Sequence, residues 1–157
     1  MPPLSGINVV RSKIHGYGGV ATRPFKAGEI VVYGDGVLYG YDDEFDDTYA
    51  LLLDGKQGEP VLFDLADQTR WFNHSCDPNS EVFGGWDFER ETMKCWWLAL
   101  RDIAVGEEIL YDYGFAAEVA EPCYCGAATC RGVIVDEDPA VQAQLKPELK
   151  AKLRTNP

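Results

Sequence analysis

The sequence is short of positive charge. Its 157 residues hold 14 Lys and Arg against 26 Asp and Glu, a net charge of −12. That balance works against nucleic-acid phosphate or an anionic membrane as partner and favours a basic one, such as a Lys/Arg-rich peptide. Taken alone it serves solubility equally well. No apolar run approaches the roughly 18 residues needed to span a bilayer. The opening MPPLSGINVV lacks both the basic start and the apolar stretch of an export signal. There is no internal repeat and no low-complexity linker. The even cysteine count of a disulfide framework is missing too: there are five, three of them within residues 123–130. Without an export signal, that cluster reads as thiolate or metal chemistry in an intracellular protein.

What is present is enough for one folded domain. Hydrophobic residues make up 46% and aromatics 12%, more apolar surface than a disordered chain carries. Short apolar or β-rich runs at 29–33 (EIVVY), 37–41 (VLYGY), 49–53 (YALLL), 61–65 (VLFDL), 81–83 (EVF) and 95–100 (CWWLAL) are separated by Gly, Pro and Asp clusters. This spacing predicts a mainly β chain of small twisted sheets rather than βαβ units. Only the tail, PAVQAQLKPELKAKLR, reads as helix, with Pro147 breaking or starting it. Four basic residues of that tail stand against Glu148, so an acidic body and a basic tail could pair two copies as a homodimer. The acidic stretch DDEFDD (42–47) is most simply a solvated loop.

Four clusters carry chemistry. In HGYGG, Gly16, Gly18 and Gly19 flank Tyr17 and would let backbone approach a ligand. The third glycine and following helix of a dinucleotide fingerprint are absent. In PCYCGAATCRG, Cys123, Cys125 and Cys130 supply three thiolates, and structural zinc takes four ligands. Cys76, in a polar turn beside Pro78, is a better fourth than Cys95, which sits in an apolar strand. A redox or free-thiol cluster is the alternative. In GEEILYDYGF, strand alternation places Tyr111 and Tyr113 on one face, as core or as site. In RWFNHSCDPN (70–79), Asn73 and His74 offer donors and acceptors suited to a heteroaromatic ligand. Ser75 lacks the setting of a nucleophile.

These stretches, in this order, resemble the SET-domain protein lysine methyltransferases with a cysteine-rich post-SET segment, over residues from about 7 to 135. GYG is similar to the family's G-x-G, and VVYGDG to its strand with a site tyrosine. RWFNHSCDPN resembles the R-F-x-N-H-S-C-x-P-N signature, LALRDIAVGEEILYDY the GEEL…YDY element, and CYCGAATCRG the post-SET zinc motif.

The resemblance implies a SET domain over 1–116, a zinc-binding post-SET segment over 117–135 and a helical tail over 136–157. The NHSC and YDY segments would be threaded in a pseudoknot-like arrangement. It implies S-adenosylmethionine as methyl donor and one structural zinc ion. Gly16, Tyr17 and Gly18 would contact the donor, and Arg70, Asn73 and His74 its carboxylate and adenine side. Tyr113 falls at the catalytic tyrosine and Tyr33 at a second phenol of the lysine channel. Cys76, Cys123, Cys125 and Cys130 match the zinc ligands. Tyr111 stands where family members carry Tyr or Phe, which implies mono-methylation, since its hydroxyl leaves less room for further methyls. The substrate would be a lysine of a basic protein, histone or histone-like, in the cytoplasm or on chromatin. An aromatic often found five residues after the last zinc cysteine is Val135 here, and the stretch from Tyr41 to Leu65 is short. The alternatives are a catalytically inactive SET-like peptide-binding module and a zinc-stabilised structural protein.

Overall fold

The computed structural model describes residues 4–154. Strands dominate it. β1 (Ile7–Arg11) and β2 (Tyr17–Ala21) pair antiparallel. β3 (Ile30–Gly34), β8 (Ser80–Asp87) and β9 (Thr92–Ala99) form a sheet in the order β3-β9-β8. β4 (Gly36–Gly40), β5 (Ala50–Asp54) and β6 (Pro60–Leu65) form another, ordered β4-β6-β5. Each of the six expected runs lies within two residues of a strand boundary or inside a longer strand. The β1-β2 hairpin is an addition, because its glycines read as a turn when taken alone.

Alternation explains which faces are buried. Along β9, Met93, Cys95, Trp97 and Ala99 are buried while Lys94, Trp96 and Leu98 lie between them on the other face. Trp97 is fully buried, with Phe72 and Tyr111 edge-on to it at 5.2 and 5.7 Å. On the outward face, Trp96 stands between Tyr33 and Phe83, its cross-strand partners on either side.

Two very short strands join these layers. β7 (Asn73–His74) runs parallel to β10 (Leu110–Tyr111), with Asn73 opposite Leu110 and His74 opposite Tyr111. Residues 75–109 leave as the β8-β9 hairpin and return to lay β10 beside β7, which is the expected threading. Parallel pairing over two residues is weak by itself. The buried side chain of Asn79 reinforces it, donating to the Glu108 carbonyl at 2.8 Å and accepting the Leu110 N–H at 2.9 Å.

β11 (Glu121–Pro122) pairs with β12 (Val133–Ile134) around the cysteine-rich loop. The tail holds two one-turn helices in place of one: α1 (Pro139–Gln142), capped by Asp138, and α2 (Pro147–Lys150), which Pro147 starts. Leu145, Leu149 and Leu153 pack on Val133 and Val135 in a second small core. Gly132 permits that approach, since a Cβ there would collide with the Lys152 carbonyl. The DDEFDD stretch is an exposed loop, as expected, in which Phe45 alone is half-buried and stacks on Tyr39 at 3.8 Å. Among the described residues no helix is long and apolar enough to cross a membrane.

Asn79→Ala is expected to cost about 2–4 kcal/mol in urea unfolding, because it strands one backbone carbonyl and one N–H away from water. A loss well under 1 kcal/mol would show that the clamp contributes nothing.

Candidate functional site

The β7-β10 junction sets the site. Asn73 and His74 are adjacent and both buried, and as strand neighbours they point opposite ways. The Asn73 amide donates to the carbonyls of His15 and Tyr17 at 3.1 and 2.8 Å and to Glu108 Oε1 at 2.8 Å. Glu108 also accepts from Ser12 Oγ at 2.9 Å. This carboxylate sits where a Cβ on Gly18 would lie, so a side chain there would have to displace it. The G-Y-G turn is thus fastened to β7 by one amide and one carboxylate.

His74 faces the cysteines. Its Nδ1 accepts the Tyr113 N–H at 3.1 Å, and its Nε2 lies 3.4 Å from Cys76 Sγ. Burial, opposed by Asp112 and reinforced by Arg131, holds the imidazole neutral, its pKa lowered to about 4. With Nδ1 accepting, the ring proton sits on Nε2 and points at sulfur.

Ligand atoms of His74, Cys76, Cys123 and Cys125 all lie within 4.8 Å of one another. Cys130 packs in the same cluster, against Cys123 and Cys125. The Sγ atoms of Cys76 and Cys123 are 3.8 Å apart, close to the edge of a tetrahedron with ~2.3 Å zinc–sulfur bonds. Backbone N–H groups of Arg131 and Gly132 reach Cys76 and Cys130 Sγ, each at 3.4 Å. Burial raises the Cys76 thiol to about 11. At Cys125 burial acts the same way, but the amides of Cys76 and Ala127 outweigh it and bring the thiol to about 7. This donor set fits zinc. Cys95 stands apart, fully buried in β9, its thiol pushed up to about 12 by burial.

A cavity of about 350 Å³ opens between the two halves. Ile14, His15, Asn73, His74 and Tyr113 line one side. Glu121, Pro122, Tyr124 and Ile134 face them across it, with Cys123 and Cys125. Its size suits a small organic ligand. Tyr113 sits 4.9 Å from Tyr111, ring to ring, and donates its hydroxyl to the Phe72 carbonyl at 2.8 Å. Burial first, then Glu121 and Glu108, raise the Tyr113 pKa, so the phenol stays protonated. Burial does the same for Tyr111.

Gly16, Tyr17, Gly18, Arg70 and Tyr33 are not among the residues that line this cavity. Gly16, Tyr17 and Gly18 form the turn behind Asn73, and Tyr17 packs edge-on against Trp71 at 5.7 Å. Arg70 lies over Tyr49 at 4.3 Å and keeps a buried Nε without a partner. Tyr33 is 61% exposed beside Trp96. Val135 is buried in the tail core, and the exposed ring beside the cavity is Tyr124 instead.

Four residues were given no role from the sequence: Glu108, Ser12, Asp112 and Arg131. Glu108 and Asp112 lie within the quoted GEEILYDYGF and Arg131 within PCYCGAATCRG. Asp112 accepts from Arg131 at 2.8 Å, an ion pair joining the YDY turn to the cysteine loop.

Threaded strands, a glycine turn pinned by an asparagine and a thiol-rich flap enclosing a cavity define a class of small β protein built around a tyrosine pair, Tyr111 buried and Tyr113 half-buried. Residues 16–114 match the SET domain family model, and the chain belongs to that family. It is 34% identical over 146 residues to histone-lysine N-methyltransferase 2B of Homo sapiens, covering 80% of this chain and 5% of the relative. It is 35% identical over 145 residues to an H3 lysine-4-specific histone-lysine N-methyltransferase of Cryptococcus neoformans var. neoformans, covering 80% and 9%. The chain therefore spans only a small part of the curated relatives it matches. A solved structure of KRYPTONITE with mCHH DNA, H3(1-15) peptide and SAH superposes with a TM-score of 0.68 at 26% identity, covering 82% of this chain and 29% of that one.

Gly18→Ala is expected to expel the Glu108 carboxylate and lower stability by about 1–3 kcal/mol. Gly85→Ala, where a Cβ meets open space, is the matched control and should change little. Equal effects would refute the clamp.

Proposed function

We propose that this chain is a protein-lysine N-methyltransferase domain that uses S-adenosylmethionine to methylate a lysine in a basic, histone-like polypeptide. The observation that carries this reading is the cavity bounded by Asn73, His74 and Tyr113 within a SET fold. Support for the methyl donor comes from the SAH bound in the KRYPTONITE structure, and support for the substrate from its H3 peptide and the named histone specificity of the relatives.

S-adenosylmethionine supplies an electrophilic methyl group on a sulfonium sulfur, which the neutral lysine amine attacks in line, leaving a thioether. The chain's work is placement and desolvation. Asn73 holds the His15 and Tyr17 carbonyls in fixed positions along the donor's path. Arg70, with an unsatisfied Nε, is assigned to the donor's carboxylate. Tyr113 orients the amine through its hydroxyl and ring, and an apolar, aromatic channel disfavours the ammonium form of the lysine. Tyr33, exposed on β3, is assigned to the channel mouth. A groove lined by Leu52, Leu53, Asp54, Val82 and Phe83 lies between the edge strands β5 and β8 and is assigned to an extended segment of the polypeptide substrate.

The zinc is assigned to Cys76, Cys123, Cys125 and Cys130. His74 then serves as a donor to the Cys76 thiolate, since its remaining lone pair is taken by Tyr113 N–H. Metal analysis of the purified chain should find one zinc. Cys130→Ser should lose it and His74→Gln should keep it. The reverse pattern would make His74 the fourth ligand.

Labelled-methyl transfer to histone H3 and other basic proteins tests the activity, with mass spectrometry of the product. Tyr113→Phe should lower kcat by at least about a hundredfold. The wild type should stop at one methyl, and Tyr111→Phe should add more. Transfer that survives Tyr113→Phe undiminished would overturn the role of Tyr113. Binding of peptide without any transfer would favour an inactive peptide-binding module.

A further inference from the structure

We propose that Glu121 makes the cavity selective for the positively charged methyl donor over its neutral product. The inference rests on the cavity being the donor site. The wall is uneven in charge. It contains one carboxylate, Glu121, and no lysine or arginine. Its other titratable side chains are His15, His74, the two tyrosines and the cysteines; His74 is held neutral, and four thiolates on one zinc would add a fixed negative charge that substitution of Glu121 leaves unchanged. Among the described residues no cation lies within ion-pair distance of Glu121, so its charge is not already neutralised.

Glu121 lines the same cavity as Tyr113. It sits on β11 opposite Ile134, another wall residue. Glu108 adds a second carboxylate from behind Asn73. The two nucleosides share their adenosine, amino and carboxylate groups, so contacts with those parts bind both alike. They differ at sulfur, which is a cation in S-adenosylmethionine and an uncharged thioether in S-adenosylhomocysteine. A carboxylate near Tyr113 attracts the first and gains nothing from the sulfur of the second. Once the methyl has left, this attraction vanishes and the product is released more readily.

Calorimetric titration of the zinc-loaded full chain with each nucleoside tests this. Glu121 is exposed and Gln is its isostere, so unchanged zinc content and Tm serve as the folding check. Glu121→Gln is expected to weaken S-adenosylmethionine about three- to tenfold, a modest effect because the group is partly screened by water. S-adenosylhomocysteine should shift less than about twofold by the same reasoning. Glu121→Lys should lower the donor-to-product affinity ratio further. Equal weakening of both ligands, or no change in either, would overturn the proposal. If the wild type binds neither nucleoside, the cavity assignment itself fails and this inference goes with it.

Discussion

Four residues of parallel strand hold the site together: Asn73 and His74 beside Leu110 and Tyr111. Because neighbouring strand residues face opposite ways, the pairing sends the Asn73 amide to the glycine turn and the His74 ring to the cysteines. The same pairing lays Tyr111 and Tyr113 beside the buried Phe72. A slip of one residue would exchange these assignments. Such a short pairing cannot hold its register alone, and the side chains of Asn79 and Ser80 supply the extra hydrogen bonds that fix it.

The cysteine loop is a wall of the site as well as a staple. Cys123 and Cys125 line the cavity directly, and Arg131 links the loop to Asp112 in the YDY turn. Zinc held by these thiols would therefore couple its binding free energy to the shape of the ligand cavity as well as to folding. The tail extends the coupling, since the Arg154 N–H donates to the Arg131 carbonyl at 2.7 Å and the leucines of the tail pack beneath β12. A basic, helical tail read in isolation suggests an outward-facing segment, yet its apolar face is used within the chain.

Much of this was legible in the order of residues. Short apolar runs between turn residues disclosed the sheets, and the apolar run CWWLAL assigned Cys95 to the core, where it lies. The thiol cluster and the two facing tyrosines followed from spacing. The rest depended on contacts between distant segments. Nothing local in HGYGG distinguishes a turn from the hairpin it forms, because Glu108 arrives from ninety residues away. RWFNHSCDPN suggested a cofactor role for His74, but the fold also brings its Nε2 to Cys76. Its aromatics divide as well: Phe72 is core, whereas Trp71 stands between Tyr17 and Tyr49.

The central claim is that one nucleoside-binding cavity lies between the glycine turn, β7 and the cysteine loop. Hydrogen exchange of backbone amides, measured with and without S-adenosylhomocysteine, tests it most directly. The account predicts slower exchange in residues 14–18, 73–74, 113 and 121–125, with the β5-β6 hairpin unchanged. Protection confined to other segments, or none at saturating nucleoside, would contradict it.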